Sequence, residues 1–500
     1  MYLNEVQKPY TLCNLPFAKK INDIIYSKWF VFLIAFLTLA TNVFGLELYF
    51  FTFMALTAIY ISFFGKDYLP YFPMLVFCYV SASKENNPGY NENSIFFMQN
   101  GGGYIIILAV LIVVSIIIRF MLDPETGFSN FNKINGKVML SFAVLGVAFA
   151  LSGFNNAQAN KNALNNAIIS LIQFCAFFLP YFVLSLSIRW DTVEKDYFAF
   201  VCLLLGVTIG LEVVFIYMIN NVDLLKPYKP LITTGWGVSN NLAVMLTMSI
   251  PFAFYFILIK KHIVPAITSF IFISIAIVLT MSRNSILILG LVVVVCQIVL
   301  FLKTKDTFIR FASLSSLAII ALSICGLYFF SKFFENIFFF GLSSPERVEI
   351  YTAGIKIFLD YPLFGGSFYS LNIYSELANW ESYNIEAFTS FFPGRWHNTI
   401  IQMLACCGTV GIVAYAIHRF YTIKVFLTSK GDEHLFIFIS VMVLLASSML
   451  DSHLFNLGPT LLYSCAIAFA EFKKKHYILD TPFNEIDLNS IEKDYLNTLN

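Results

Sequence analysis

A helix must supply about 20 consecutive apolar residues to cross the hydrocarbon core of a bilayer, and this chain supplies such runs almost from end to end. About fourteen emerge, at residues 29–46, 48–65, 68–83, 103–122, 137–153, 165–188, 197–219, 239–259, 263–281, 284–302, 308–330, 398–418, 434–450 and 453–471. A transmembrane barrel would show short alternating segments instead of continuous runs of this length. Charged residues make up only 12% of the chain, about half of what a globular protein carries. The expected fold is all-α: a polytopic transmembrane helical bundle of about 12–14 spans. A net charge of +1 and the lack of a basic tract interleaved with aromatics exclude nucleic acid as a partner.

Lysine and arginine are in excess in cytoplasmic loops, which orients the bundle. An N-terminus on the cytoplasmic side leaves only Lys84, Lys161, Lys226, Lys229, Arg283, Lys332, Arg347, Lys356 and Arg395 outside, out of 31 basic residues. Both termini are therefore expected in the cytoplasm. No small-residue cleavage site precedes the second run, so the first span is expected to act as the insertion signal. The nine cysteines form no metal-ligand pattern and read as small packing residues. The organisation divides into a cytoplasmic segment (1–28), a first group of spans (29–330), a large extracytoplasmic loop (331–396), further spans (397–471) and a cytoplasmic tail (472–500).

The loop is the longest connection, and long connections in compact proteins are usually functional. Ser343, Pro345 and Glu346 form a helix start signal. Val348, Tyr351, Ile355, Phe358 and Leu359 then recur at helical spacing until Tyr361 and Pro362 end the run. This predicts an amphipathic helix lying on the outer membrane surface or on the bundle. Gly365 and Gly366 predict a tight turn after it. Pro393 and Gly394 close the loop, and Arg395, Trp396 and His397 enter the next span.

Three of the chain's arginines lie on the outer side, against the general bias: Arg283, Arg347 and Arg395. Arg283 falls in a hairpin of about three residues at the membrane boundary and either snorkels to lipid phosphates or faces the bundle as an anion site. Arg347 and Arg395 taken alone read as loop charges. His397 opens a helix whose N-terminus points outward, with the partial positive charge and backbone N–H groups such an end carries. Imidazole can also take a proton near neutral pH. Arginines, a histidine and a helix N-terminus at one membrane face suit a pyrophosphate-bearing lipid.

Three stretches carry a resemblance. Thr280-Met281-Ser282-Arg283-Asn284, then Arg347-Val348-Glu349-Ile350-Tyr351 leading to Tyr361-Pro362-Leu363-Phe364-Gly365-Gly366, and then His397-Asn398 followed by Cys407-Gly408-Thr409-Val410-Gly411 resemble the O-antigen ligase and polymerase superfamily of bacterial envelopes. The likeness spans residues 235–420, with the long loop in its expected place. It implies a multi-pass protein of the bacterial inner membrane that transfers a glycan from undecaprenyl pyrophosphate to a glycan or lipid A core acceptor, with no cofactor and no metal. Arg283, Arg347 and His397 match the family's two arginines and histidine and are the expected catalytic residues. Asn398, Gly365, Gly366, Arg395 and Glu212 are the expected substrate-binding residues, although Arg395 matches no family position.

The residue types suit that chemistry. Breaking the bond between sugar C1 and phosphate leaves charge on pyrophosphate, and a guanidinium stays protonated and grips two oxygens at once. A histidine can accept the proton of the attacking hydroxyl. A transporter or flippase of lipid-linked glycan is the alternative of another class. It draws on Glu212, a carboxylate within the seventh run that is placed either to relay protons or to pair with Arg283.

Overall fold

The computed structural model describes residues 11–78, 102–123, 136–154, 163–190, 193–223, 229, 232–234, 237–330, 345–367, 396–428 and 431–479. Their helices, in chain order, are α1 (Pro16–Ile25), α2 (Lys28–Phe44), α3 (Glu47–Phe64), α4 (Tyr71–Phe77), α5 (Gly102–Leu122), α6 (Gly136–Ala150), α7 (Ala163–Ser187) and α8 (Tyr197–Ile219). There follow α9 (Ser239–Leu258), α10 (Ile263–Leu279), α11 (Arg283–Lys303), α12 (Thr307–Phe330), α13 (Pro345–Asp360), α14 (Thr399–Thr428), α15 (Asp432–Leu450) and α16 (Leu457–Leu479). The described β-structure is one small antiparallel pair, β1 (Thr233–Thr234) with β2 (Gly237–Val238), leading into α9. The protein is an all-α bundle. Among the described residues, six helices are long and apolar enough to cross a membrane: α3, α8, α9, α11, α14 and α15. The pair α1–α2 also passes as one span bent by 65°.

Every apolar run expected from the sequence coincides with a helix except the third. There α4 is only seven residues long, about 10 Å of rise. It enters the bundle from one end and stops at mid-depth, where the hydroxyl of Thr38, in the middle of α2, donates to Phe77 O at 2.9 Å. Residues 79–83 of that run lie outside the described residues.

The two ends of the bundle differ in chemistry. At one end stand Lys28–Glu194 (2.6 Å), Lys261–Asp196 (2.6 Å), Lys260–Asp306 (2.5 Å) and Lys303–Asp432 (3.2 Å). Rim pairs of this kind contribute about 0–1 kcal/mol each, so their main effect is to mark this end as the wet, basic one. Because α9, α10 and α11 are joined by short turns, the start of α9, the end of α10 and the start of α11 meet at the opposite end. The end of α15 joins them, since Asn240 at the start of α9 donates to Asp451 just after α15, at 3.1 Å.

Helix α9 is buried on nearly every side from Leu242 to Phe256, as a helix apolar all round must be. In a bilayer, helices associate by close packing more than by hydrophobic transfer, and small residues permit it. A Cβ at Gly206 of α8 would stand 2.6 Å from the Ser249 Cβ of α9, and one at Gly210 would stand 2.7 Å from the Phe272 ring of α10.

Candidate functional site

The loop helix predicted from Pro345 is present as α13, but its buried face is not the predicted one. Ile350, Ala353 and Ile357 are buried, while Val348, Ile355 and Leu359 are exposed. Both sets repeat at helical spacing, so periodicity alone could not say which one docks. Gly354 decides it: a Cβ there would meet Ile401 at 2.5 Å and the Trp396 ring at 3.0 Å, so only a glycine lets α13 lie against the entry to α14.

The connection from α13 onward closes a break in α14. At Gly408 the backbone leaves helical geometry (φ 62°, ψ −155°), which orphans two carbonyls above the break and two N–H groups below it. The turn at Tyr361–Ser367 satisfies all four. Gly366 N donates to Ala405 O (2.7 Å) and Ser367 N to Cys406 O (3.2 Å), while Thr409 N donates to Pro362 O (2.8 Å) and Val410 N to Leu363 O (3.1 Å). Irregular backbone survives at membrane depth only where protein pairs it. Gly365 also has positive φ (+66°), and a Cβ there would fall 2.4 Å from the Cys406 backbone. Gly365 and Gly366, expected to bind substrate, are thus engaged in locking α13 and its turn onto α14.

His397 sits at the top of this arrangement, in left-handed backbone geometry with φ 50°. A non-glycine residue there costs about 1–2 kcal/mol and persists only where its surroundings over-determine it. Here they do. The preceding Trp396 is fully buried and donates its backbone N–H to Gln402 Oε1 at 2.8 Å. The Tyr351 hydroxyl of α13 donates to His397 O at 3.2 Å. The imidazole Nδ1 lies 3.0 Å from Asp451 Oδ1, and the ring remains about a quarter exposed, at 26% of its side-chain surface. With Nδ1–H donating to the carboxylate, Nε2 is left as an acceptor.

Asp451 is the residue that sequence reading missed. It follows the last residue of α15, is 6% exposed, and accepts from Asn240 Nδ2 (3.1 Å) and Ser452 N (2.8 Å) besides His397. Burial works against its charge, but the His453 ring, the His397 ring and the Ser452 N–H prevail and hold its carboxyl well below the usual range. The sequence signal was available: an Asp ending an apolar run and followed two residues later by a histidine. It fell at the boundary between the last two runs.

Asn398 is the N-cap of α14. Its Oδ1 accepts the N–H groups of Ile400 (2.8 Å) and Ile401 (3.2 Å), and its Nδ2 donates to Met449 O (2.8 Å). Two of the N–H groups expected to be free at this helix end are therefore already satisfied. Arg283 is the first residue of α11, and the turn before it is Thr280–Ser282, with Met281 at φ 54°. Its side chain is exposed and has no hydrogen-bond or ion-pair partner among the described residues. A cation at a helix N-terminus adds to the positive end of the dipole, an arrangement that favours a bound anion. Glu212 is fully buried and accepts from Asn42 Nδ2 at 3.1 Å; it does not pair with Arg283. Arg347 lies on α13 one turn before Tyr351, on the same helical face. The side chain of Arg347 and the whole of Arg395 lie outside the described residues.

The start of α11, the loop helix, a left-handed histidine and the α14 break all fall within one stretch of the sequence. Residues 268–416 match the family model of the O-antigen ligase. The resemblance to the O-antigen ligase and polymerase superfamily is borne out over that segment. It runs from within α10 to the middle of α14 and contains Arg283, Arg347 and His397, but it stops before Asp451. No curated protein sequence matches the chain. The match and the apolar helices together describe a multi-pass membrane protein with a role of the ligase or polymerase kind.

Proposed function

We propose that this protein transfers a glycan from undecaprenyl pyrophosphate to an acceptor hydroxyl, at the membrane face onto which His397 opens, without a metal ion. The single observation that carries this reading is His397 itself, strained, partly open and oriented by Asp451. A histidine with one nitrogen tied to a buried carboxylate and the other left as an acceptor is built to accept a proton. In the proposed step the acceptor O–H gives its proton to His397 Nε2 as its oxygen bonds to sugar C1. The C1–O bond to phosphate breaks, and the electron pair leaves on undecaprenyl pyrophosphate. Arg283, with Arg347 of the loop helix, takes up the charge on the departing pyrophosphate.

The bundle lies in the bacterial inner membrane in this reading, with the site end outward and the basic end in the cytoplasm, as the lysine distribution suggests. A transporter reading gains nothing from Glu212, which is sealed against Asn42 instead of lining an opening. The test is reconstitution with a purified undecaprenyl-pyrophosphate glycan donor in the presence of chelator. The parent protein should transfer, His397→Ala should lose transfer while still binding donor, and Glu212→Gln should be mild. Full transfer by His397→Ala sinks the base assignment. Whether the acceptor is lipid A core, as for a ligase, or another repeat unit, as for a polymerase, is read from a deletion strain: unattached full-length chains indicate the first, unpolymerised units the second.

A further inference from the structure

Asp451 has a second imidazole on its far side. His453 is 1% exposed, and its Nε2 lies 3.9 Å from Asp451 Oδ2. Its other nitrogen, Nδ1, lies 3.1 Å from Asn241 Oδ1. That same oxygen accepts a hydrogen bond from Asn456 Nδ2, which fixes it as an acceptor towards both neighbours. With the amide so placed, Nδ1 of His453 donates to it. If the ring were neutral, Nε2 would turn a lone pair towards a carboxylate to which His397, Asn240 and Ser452 already donate hydrogen bonds. A ring with hydrogens on both nitrogens removes that conflict.

We propose that His453 is a positively charged positioning residue that sets the proton affinity of the His397–Asp451 pair, a role that rests on His397 being the base. Asp451 faces His453 across 3.9 Å, and His397 lies on the other side of that carboxylate. Helix α9 presents the neutral amides Asn240 and Asn241, and the entry to α16 presents Asn456. A cation behind Asp451 does two things. It stops the carboxylate from drawing the proton off His397 after the acceptor hydroxyl has been deprotonated. It also offsets the field of Asp451 at His397.

The sign of the effect follows. Removing the charge leaves the Asp451 anion uncompensated, raises the proton affinity of His397, and moves the acid limb of the kcat/KM profile to higher pH. His453→Gln keeps a side-chain amide within reach of Asn241 and carries no charge. It should move that limb upward by about one unit, a tenfold loss at a pH on the limb, with the activity on the plateau largely kept. A purely structural histidine would lower activity equally at all pH and leave the limb in place; that result, or a downward shift, overturns the proposal. The second measurement uses the unaltered protein: nitrogen-15 imidazole shifts in detergent, with the His453 signal assigned by its absence in His453→Gln or, should that variant not fold, in His453→Asn. Both nitrogens should report as protonated at pH 7, and a neutral ring overturns the proposal whether or not any variant is active. Failure of the base assignment looks different: the acid limb then persists in His397→Ala, while the imidazole shifts still report the charge on His453.

Discussion

Replacing Asp451 by Asn separates charge from geometry at the proposed base. The amide has nearly the same shape, so the question is which way it points. Oδ1 of Asp451 faces two donors, His397 Nδ1 (3.0 Å) and the Ser452 N–H (2.8 Å), and its other oxygen accepts from Asn240 (3.1 Å). The Ser452 N–H is backbone and cannot reverse, whereas Asn240 can turn its own amide to offer an oxygen. The new amide therefore settles with its oxygen towards His397 and Ser452 and its NH2 towards Asn240, on the side where the His453 ring stands 3.9 Å away. His397 keeps its tautomer and direction and loses only the negative charge that stabilises it once protonated. A hydrogen bond to a charged group contributes about 1.5–3 kcal/mol, and 1.36 kcal/mol is tenfold in rate. The expected loss in kcat is about 10- to 150-fold, with donor KM nearly unchanged because the arginines supply the charge contact.

The assay is single-turnover transfer from a lipid-linked donor in proteoliposomes, with His397→Ala and the double variant measured alongside. Since Asp451 acts through His397, the double variant should be no slower than His397→Ala alone. Losses that multiply would mean that Asp451 acts on something other than His397. An Asp451→Asn protein with parental kcat would refute the dyad altogether.

Three other outcomes are expected. Gly408→Ala puts a Cβ 2.6 Å from the Leu363 backbone in a left-handed conformation; strain and overpacking of about 2–4 kcal/mol should lower the thermal midpoint in detergent and loosen α13, seen as faster proteolysis of the loop. Asp451 carries a lowered pKa when folded, so its contribution to stability is complete above the ordinary carboxylate value of about 3.9 and is lost as the pH falls below it; the gap in thermal midpoint between parent and Asp451→Asn should close under acid conditions and stay open at pH 7. Cysteine probes near residues 90, 230 and 375 should label from outside the cell and those near 190, 305 and 425 should not, and the reverse pattern would place the site on the wrong side for an extracytoplasmic acceptor.

What was legible in the sequence follows from which interactions are local. A transmembrane span announces itself by apolar length alone, because every backbone group pairs within the segment, and so the runs near residues 197–219, 239–259 and 284–302 reappear as α8, α9 and α11. The third run matches a helix only as far as α4, which ends at Phe77 where a hydroxyl from α2 meets its carbonyl, and that contact joins residues 38 and 77. The same reasoning divides the site. Arg283 and His397 could be picked out because each stands at a helix start, which is a local feature. The role of the Gly365-Gly366 turn could not be read so: it depends on meeting a break forty residues later at Gly408, and neither half explains itself alone.

Asp451 shows why pairs at a distance carry the chemistry that motifs omit. It lies 54 residues from His397 and beyond the segment shared with the O-antigen ligase, in a short linker between two apolar runs where either residue of an Asp-Ser-His sequence reads as an ordinary loop group. It becomes informative only once α9 and α15 are packed, because Asn240, Ser452 and two imidazoles then converge on one carboxylate that burial alone would discharge. A buried charge retained at that expense is held for what it does to its neighbours. One of those neighbours is His397, which the backbone holds in left-handed geometry at the start of α14.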